Sequence, residues 1–314
     1  MNNREEATTA SLQPMDFVDI LDSMFSLYRR HFRMFAIICG VYFVWEFGTY
    51  LVTGIFAMLA PGSGRFSAPM LTVFVLSLIS RVVMIFVKGG IFFGSAQAFL
   101  GVHITPRAAF EQVKRRFWPF LGSYLLYGTI VWLLIITLIG IPFALFFGFR
   151  WMFYSLTAIF EEKPAVNALK RSGELVKGGW WRVFGIMLGI ILLVSVIESI
   201  PGISMGVVEG LRYGREVDED LLEDAIQGGE DPLEFLKRSS LDILWSILGF
   251  MSAPQITTWS GLLSYVIRRG FSLAFTCLML PVGIIGATLV YFDRRIRKEG
   301  FDIEVMAARR SVLQ

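Results

Sequence analysis

The chain has 314 residues, with 29 basic and 26 acidic side chains and a net charge of +3. It is 55% hydrophobic and only 18% charged, whereas a soluble domain has about 45–50% apolar and about 25% charged residues. Lipid is therefore the expected solvent for most of the chain; the small net charge gives no case for nucleic acid as a partner, and Cys39 and Cys277, each inside an apolar stretch, give none for a disulfide framework or zinc site.

Residues 1–13 are polar and read as a disordered cytoplasmic tail, and no apolar run follows until Met34, so a cleavable signal peptide is not expected. Next, Phe17, Leu21, Met24 and Tyr28 recur at helical spacing, with Asp19, Asp22, Ser26 and Arg29 on another face. Acid leads and base follows, as the helix dipole favours.

Six apolar runs come after it, at about 34–60, 69–102, 118–139, 143–160, 180–203 and 259–292. A bilayer core about 30 Å thick takes about 20 apolar residues as helix, and lipid leaves no unpaired backbone, so each run is read as a transmembrane helix. A single helix over 118–160 would be about 64 Å long, so Gly140-Ile141-Pro142 is read as a tight hairpin, with Pro61-Gly62 and Pro201-Gly202 as outer turns. The short apolar piece 241–250 cannot cross and reads as interfacial or re-entrant.

Basic clusters set the orientation. Arg29, Arg30 and Arg33 precede the first run; Arg107, Lys114, Arg115 and Arg116 separate the second and third; Lys163, Lys170, Arg171, Lys177 and Arg182 surround the entrance to the fifth; Arg294, Arg295, Arg297 and Lys298 follow the sixth. Residues 204–242, by contrast, hold eleven acidic and four basic side chains, which suits the outer face. Six spans with both termini in the cytoplasm satisfy both patterns.

A unit recurs three times: an amphipathic helix, a basic or glycine step, an aromatic pair and an outgoing span. Its steps read Arg29-Arg30-His31-Phe32-Arg33-Met34-Phe35, Lys114-Arg115-Arg116-Phe117-Trp118-Pro119-Phe120 and Gly178-Gly179-Trp180-Trp181-Arg182-Val183-Phe184. The expected fold is thus an all-α membrane protein with six transmembrane helices and three interfacial amphipathic helices in a pseudo-threefold repeat. The membrane domain is 14–292, with repeats at 14–102, 105–160 and 163–292 and an outer acidic insert at 204–253; a cytoplasmic tail, 293–314, closes the chain.

Three groups of charges are candidates for function. Glu46, inside the first span, needs a partner at midplane, and Arg81 and Lys88 of the second span share a stripe that supplies one. Glu198 with Arg268 and Arg269 makes an outer group. Arg29, Arg30, Lys114, Arg115, Arg116, Lys170, Arg171 and Lys177 are positioned to contact lipid headgroups, although the positive-inside rule alone accounts for them. The small-residue patterns Gly90-x-x-x-Gly94-x-x-x-Ala98 and Gly185-x-x-x-Gly189 suit close helix packing, within a monomer or in a homo-oligomer. Chemistry needs convergent nucleophiles, bases or ligands. His31 and His103 are isolated, no metal, nucleotide or hydrolase motif occurs, and no cofactor is expected.

Ile141-Pro142, Arg150-Trp151, Glu161, Ala168-Leu169-Lys170-Arg171-Ser172, Leu175-Val176-Lys177-Gly178 and Trp181-Arg182-Val183-Phe184-Gly185 resemble bacterial membrane proteins grouped with the membrane domain of some glycerophosphoryl diester phosphodiesterases. The segment Tyr291-Phe292-Asp293-Arg294-Arg295-Ile296-Arg297-Lys298-Glu299-Gly300-Phe301-Asp302 is similar to that group's closing motif. The resemblance implies a multi-pass architecture in the bacterial cytoplasmic membrane and an association with lipid or envelope processes. It implies no catalysis, because the phosphodiesterase chemistry belongs to a separate soluble domain. The sequence thus points first to a non-catalytic membrane module that scaffolds a membrane or cytoplasmic protein partner or organises lipids. A transporter of a small solute or lipid, using the midplane charges, is the alternative.

Overall fold

A computed structural model describes residues 14–59, 68–102, 104–163, 165–216 and 258–301, and every regular element among them is helical. The expected tail 1–13, the Pro61-Gly62 turn, His103, most of the acidic insert with its piece 241–250, and residues 302–314 lie outside the described residues.

Three short helices each lead into a long one across a break of one to three residues. α1 (Phe17–Arg30) ends at His31 before α2 (Phe32–Leu59), and α3 (Ala68–Phe99) returns. α4 (Pro106–Arg115) ends at Arg116 before α5 (Phe117–Ile136). A 3-10 turn, Leu138–Gly140, then leads to α6 (Ile141–Arg150) and α7 (Tyr154–Ile159). α8 (Ala165–Val176) precedes α9 (Trp180–Glu216), and α10 (Trp259–Glu299) is the last described helix. Local chemistry starts and stops the short helices. The backbone N–H of Asp16 donates to Asp19 Oδ2 at 2.9 Å and Arg29 and Arg30 close α1, while Thr105 Oγ1 accepts from Ala108 N at 3.3 Å and Pro106 opens α4. Each buries a limited set of residues: Ile20, Met24 and Tyr28 in α1, Ala109 and Val113 in α4, and Ala168, Leu169, Ser172 and Val176 among others in α8. The inward face of α1 thus centres on Ile20, whereas Phe17, expected there, is exposed.

Among the described residues, five stretches are long and apolar enough to cross a membrane: α2, Leu71–Phe99 of α3, α5, Trp180–Ser204 of α9, and α10. The fourth expected span, 143–160, is not one of them. It breaks after Arg150, and Ser172 of α8 explains why the break is stable: Ser172 Oγ donates to Arg150 O at 3.2 Å and accepts from Phe153 N at 3.1 Å. Backbone groups freed by the turn are thereby paired, each such bond adding about 1 kcal/mol net. Every residue of α7 is buried, and Tyr154, Ala158 and Ile159 pack with Ile85, Phe120 and Leu169.

Two other expected boundaries are absent. α9 continues through Pro201 to Glu216, since proline's φ near −65° is helical and its ring removes one hydrogen bond without turning the chain back. α10 does not stop at Phe292: it runs to Glu299, and Asp293 and Arg294 are buried. The segment from 293 is therefore packed structure at its start, not tail.

The chain divides into two compact units, one made of Met1–Trp45, Leu78–Val194 and Cys277–Gln314, the other of Glu46–Ser77 and Ser195–Thr276. In the first, the small-residue stripes receive large side chains of the same unit. A Cβ on Gly94 would lie 3.1 Å from Met34 Cε, one on Gly90 3.4 Å from Phe110, and one on Gly189 2.9 Å from Phe17. Polar anchors add to this packing: Trp45 Nε1 donates to Ser80 Oγ at 3.0 Å, and Tyr28 Oη to Leu278 O at 2.9 Å. In the second unit Leu262, Tyr265 and Val266 pack with Phe47, Tyr50 and Met58. Gly54 and Gly270 let these helices close up, since their Cβ atoms would lie 2.6 Å from Leu262 and 2.9 Å from Phe47.

Candidate functional site

The densest polar cluster lies in the first unit, where the end of α10 meets α8, the start of α9 and the residues before α1. It begins with a helix terminus. The last carbonyls of α8 have no partner within their own helix, and Arg294 reaches them: its Nε and Nη2 donate to Leu175 O at 3.2 and 3.1 Å, and Nη2 to Lys177 O at 3.5 Å. Lys298 Nζ also donates to Glu174 O, and to Lys177 O at 3.2 Å. Two cations thus cap the negative end of α8. The chain turns there through Gly178 at φ +82°, and the Arg294 guanidinium lies against Gly179, in the space a Cβ would need.

Arg171 occupies the centre of one half of the cluster. Its Nε donates to Glu161 Oε2 at 2.8 Å, and Nη1 and Nη2 donate to the two oxygens of Glu299 at 2.6 and 2.8 Å. This is the bidentate fork that arginine and carboxylate favour. Tyr291 Oη donates to the other Glu161 oxygen at 2.6 Å, and Arg295 Nε to Glu299 at 3.3 Å, with the Arg295 guanidinium 3.9 Å over the Phe301 ring. Burial opposes the charge on Arg171, but its hydrogen bonds to Glu299 and Glu161 outweigh that and hold its pKa above the ordinary arginine value.

Asp293, fully buried, organises the other half. It accepts from Met15 N at 3.0 Å and from Arg297 Nε at 2.9 Å. Arg182 Nε lies 3.5 Å from Asp293 Oδ2, close enough for an ion pair but outside hydrogen-bond geometry, so both buried atoms lack a hydrogen bond among the described residues. Arg182 Nη2 donates instead to Met15 O, as does Arg297 Nη2 at 3.1 Å. The peptide before α1 is thus gripped from both sides by side chains from α9 and α10.

The chain matches no protein-family model, no curated protein and no solved structure. What bears on its function is the contacts themselves.

They divide the eight expected headgroup contacts. Arg29, Arg30, Lys114, Lys170 and Lys177 are exposed. Arg116 and Arg115 instead pair with Glu162, the latter at 3.8 Å, and Arg171 is held between two carboxylates. The closing basic cluster, expected to mark only the cytoplasmic side, is built into the packing through Arg294 and Arg297. Asp293 was legible only as an acid set among bases directly after an apolar run, beside Glu161 at the end of another. His31 keeps its ring on its own helix, Nδ1 3.3 Å from Leu27 O.

The expected midplane group has members in both units. Arg81 and Lys88 belong to the first unit and Glu46 to the second. Within the second unit the Tyr50 hydroxyl bonds the Glu46 carboxylate, and the Arg269 guanidinium stands 5.9 Å over the Tyr50 ring and 5.7 Å over that of Tyr265. One member of each expected charge group, Glu46 and Arg269, therefore flanks the same tyrosine. Glu46 Oε2 is buried without a hydrogen-bond partner among the described residues. Glu198 and Arg268 are half-buried, and Arg81 is exposed.

Proposed function

We propose that the chain is a non-catalytic integral membrane module that organises a partner protein or lipids, with six crossings and both termini in the cytoplasm of a bacterium. The observation that carries this reading is that the carboxylates and guanidiniums of the main polar cluster are engaged with one another and with backbone carbonyls. Glu161, Glu299 and Asp293 each face an arginine, an arrangement that fixes helices in place and offers a substrate no free acid or base. The exposed Arg29, Arg30, Lys114, Lys170 and Lys177 remain as cations for anionic headgroups at the cytoplasmic surface.

Six crossings require α6 and α7 together to form the fourth, as an interrupted helix. Broken helices are tolerated at membrane depth where protein buries them, and α7 is buried throughout. The pseudo-threefold repeat is supported by the breaks at His31, Arg116 and Lys177-Gly178-Gly179, which fall at the three aligned steps. A family relation to the membrane domain of glycerophosphoryl diester phosphodiesterases fits the same facts: Glu161, Arg171, Arg182, Asp293 and Arg294, drawn from separate motifs of that resemblance, meet in one cluster.

Mild crosslinking and co-purification of the full chain from native membranes tests the module. A protein partner at fixed stoichiometry, or retained anionic lipid lost when Lys114, Lys170 and Lys177 become Gln, is expected. Recovery of the bare chain with neither would end this reading. Labelling that finds residues 204–242 and 294–298 on one side of the membrane would end the six-crossing topology.

The transporter reading draws on Glu46, whose buried oxygen stands unbonded beside Tyr50 and Arg269. Uptake of a solute by proteoliposomes, abolished by Glu46→Gln, would favour it over the module.

A further inference from the structure

The return leg of the α5–α6 hairpin is short. The ten residues of α6, Ile141–Arg150, rise about 15 Å, half the thickness of a hydrocarbon core. Its far end is tied to α8: Ser172 Oγ bonds Arg150 O and Phe153 N at 3.2 and 3.1 Å, and a Cβ on Gly173 would lie 3.2 Å from Arg150 Nε. Lys170, Glu174 and Lys177 of α8 are exposed, Glu174 only two residues from Ser172. Charges facing hydrocarbon are strongly disfavoured, so this part of α8 lies at headgroup level. Ile139, eleven residues before Arg150, is about 17 Å further along the hairpin, and the half-width of α8 adds about 5 Å. The turn therefore falls short of the far edge of a core about 30 Å thick, and any tilt shortens its reach. α5 is longer because its first turns run alongside α8, Phe120 packing with Ala168 and Leu169. Beyond them Tyr127 Oη donates to Gly148 O at 3.3 Å, which pairs the two legs.

The turn is also made for hydrocarbon. No charged side chain occurs in residues 117–149, whereas 60–67, another short link between spans, hold Ser63, Arg65 and Ser67. Ile136, Ile139 and Phe143 face outward, Ile139 being 84% exposed. The turn's polar backbone is closed on itself. Gly140 N donates to Thr137 O at 2.8 Å, Thr137 Oγ1 donates to Leu134 O at 3.0 Å, and Pro142 brings no N–H. A Cβ on Gly140 would collide with Leu134 O, so glycine is what lets the turn close this tightly. Water would serve open backbone groups, but hydrocarbon requires them to be paired within the chain.

We propose that the α5–α6 turn, residues 136–143, ends inside the bilayer among lipid acyl chains and does not reach the water beyond it. The inference rests on the reading of the chain as an integral membrane module and names acyl chains as what this surface contacts. It leaves the sides of the topology unchanged, because a hairpin that reverses within the bilayer returns α8 to the face that α5 left.

A benzophenone side chain in place of Ile139, in the full chain in native membranes, tests the placement. Irradiation is expected to raise the mass of the chain by one phospholipid, attached through an acyl chain. An adduct with another protein, a crosslink to another part of this chain, or no adduct would overturn the proposal. Ile139→Lys gives a second reading. In water, replacing so exposed an isoleucine would be neutral; at depth it should at least halve the folded chain recovered from membranes, and recovery equal to wild type would overturn the proposal. A turn that fails these tests while labels place 204–242 and 294–298 on opposite sides would remove this inference alone and leave the module reading intact.

Discussion

Two charge groups, one in each unit, are satisfied to different degrees. In the first, Arg171, Glu161 and Glu299 form a closed set at helix ends, where the guanidinium is hydrogen-bonded to both carboxylates. In the second, Glu46 and Arg269 flank Tyr50 inside spans, and one carboxylate oxygen is left without a hydrogen bond among the described residues. Closed sets cost heavily when one member is removed, because the remainder become uncompensated buried charges. A group that already lacks a partner has little to lose, and the difference separates charges that hold the fold from charges available for another role.

Substitutions can break or sharpen that contrast. The largest loss is expected for Arg171→Ala, which leaves Glu161 and Glu299 facing the same vacated space. A destabilisation of about 3 kcal/mol, at the low end for buried pairs because the site is partly solvated, should appear as a lower melting temperature in detergent. If that variant melted with wild type, the closed network would have no structural weight. Asp293→Asn comes next, at about 2 kcal/mol: the amide still accepts from Met15 N, but Arg182 and Arg297 lose their counter-charge. Protease sensitivity between Met15 and Phe17 should rise in parallel, since the grip on that peptide loosens. Gly179→Ala should cost about 1 kcal/mol, because the new methyl displaces the Arg294 guanidinium from the α8 carbonyls; heating curves of the two proteins side by side would show it. Smallest of all, Glu46→Gln should stay within about 1 kcal/mol of wild type, since the amide can still bond Tyr50. A loss as large as that of Arg171→Ala would erase the distinction between the units.

The sequence made the helices legible better than the contacts among them. Long apolar runs have one solution in lipid, and the steps at His31, Arg116 and Gly178-Gly179 are marked by charge or glycine, so the helix boundaries there follow from composition. The broken fourth run was illegible for the converse reason. No proline lies within 143–160 and a single interior glycine, Gly148, does not by itself stop a helix, while the break is stabilised by Ser172 from another element. Pro201 misled in the other direction, since proline marks a turn only where the chain has somewhere to turn, and here its φ suits the helix it sits in. At the candidate site, Arg171 and the closing arginines were noticed as charges but read for their side of the membrane. Their acceptors are separated from them by up to 282 residues, and spacing within one segment carries no trace of such pairing. Glu46 was found because a carboxylate in an apolar run is conspicuous; Tyr50 and Tyr265 were not, because tyrosines are ordinary in spans.

The clasp between Met15 and Asp293 bears on the order in which the molecule is made. Ribosomes deliver α1 early and Arg182 of α9 later, yet Asp293 and Arg297, which complete the grip on the peptide before α1, and both side-chain caps of α8 arrive only with residues 293–298 of α10. Until then the Leu175 carbonyl lacks Arg294 and Arg171 lacks Glu299, while apolar packing and contacts such as Ser172 with Arg150 and Phe153, and Arg171 with Glu161, hold the preceding helices. Emergence of this one stretch therefore completes several distant contacts together, which makes the last described helix the closing step of assembly.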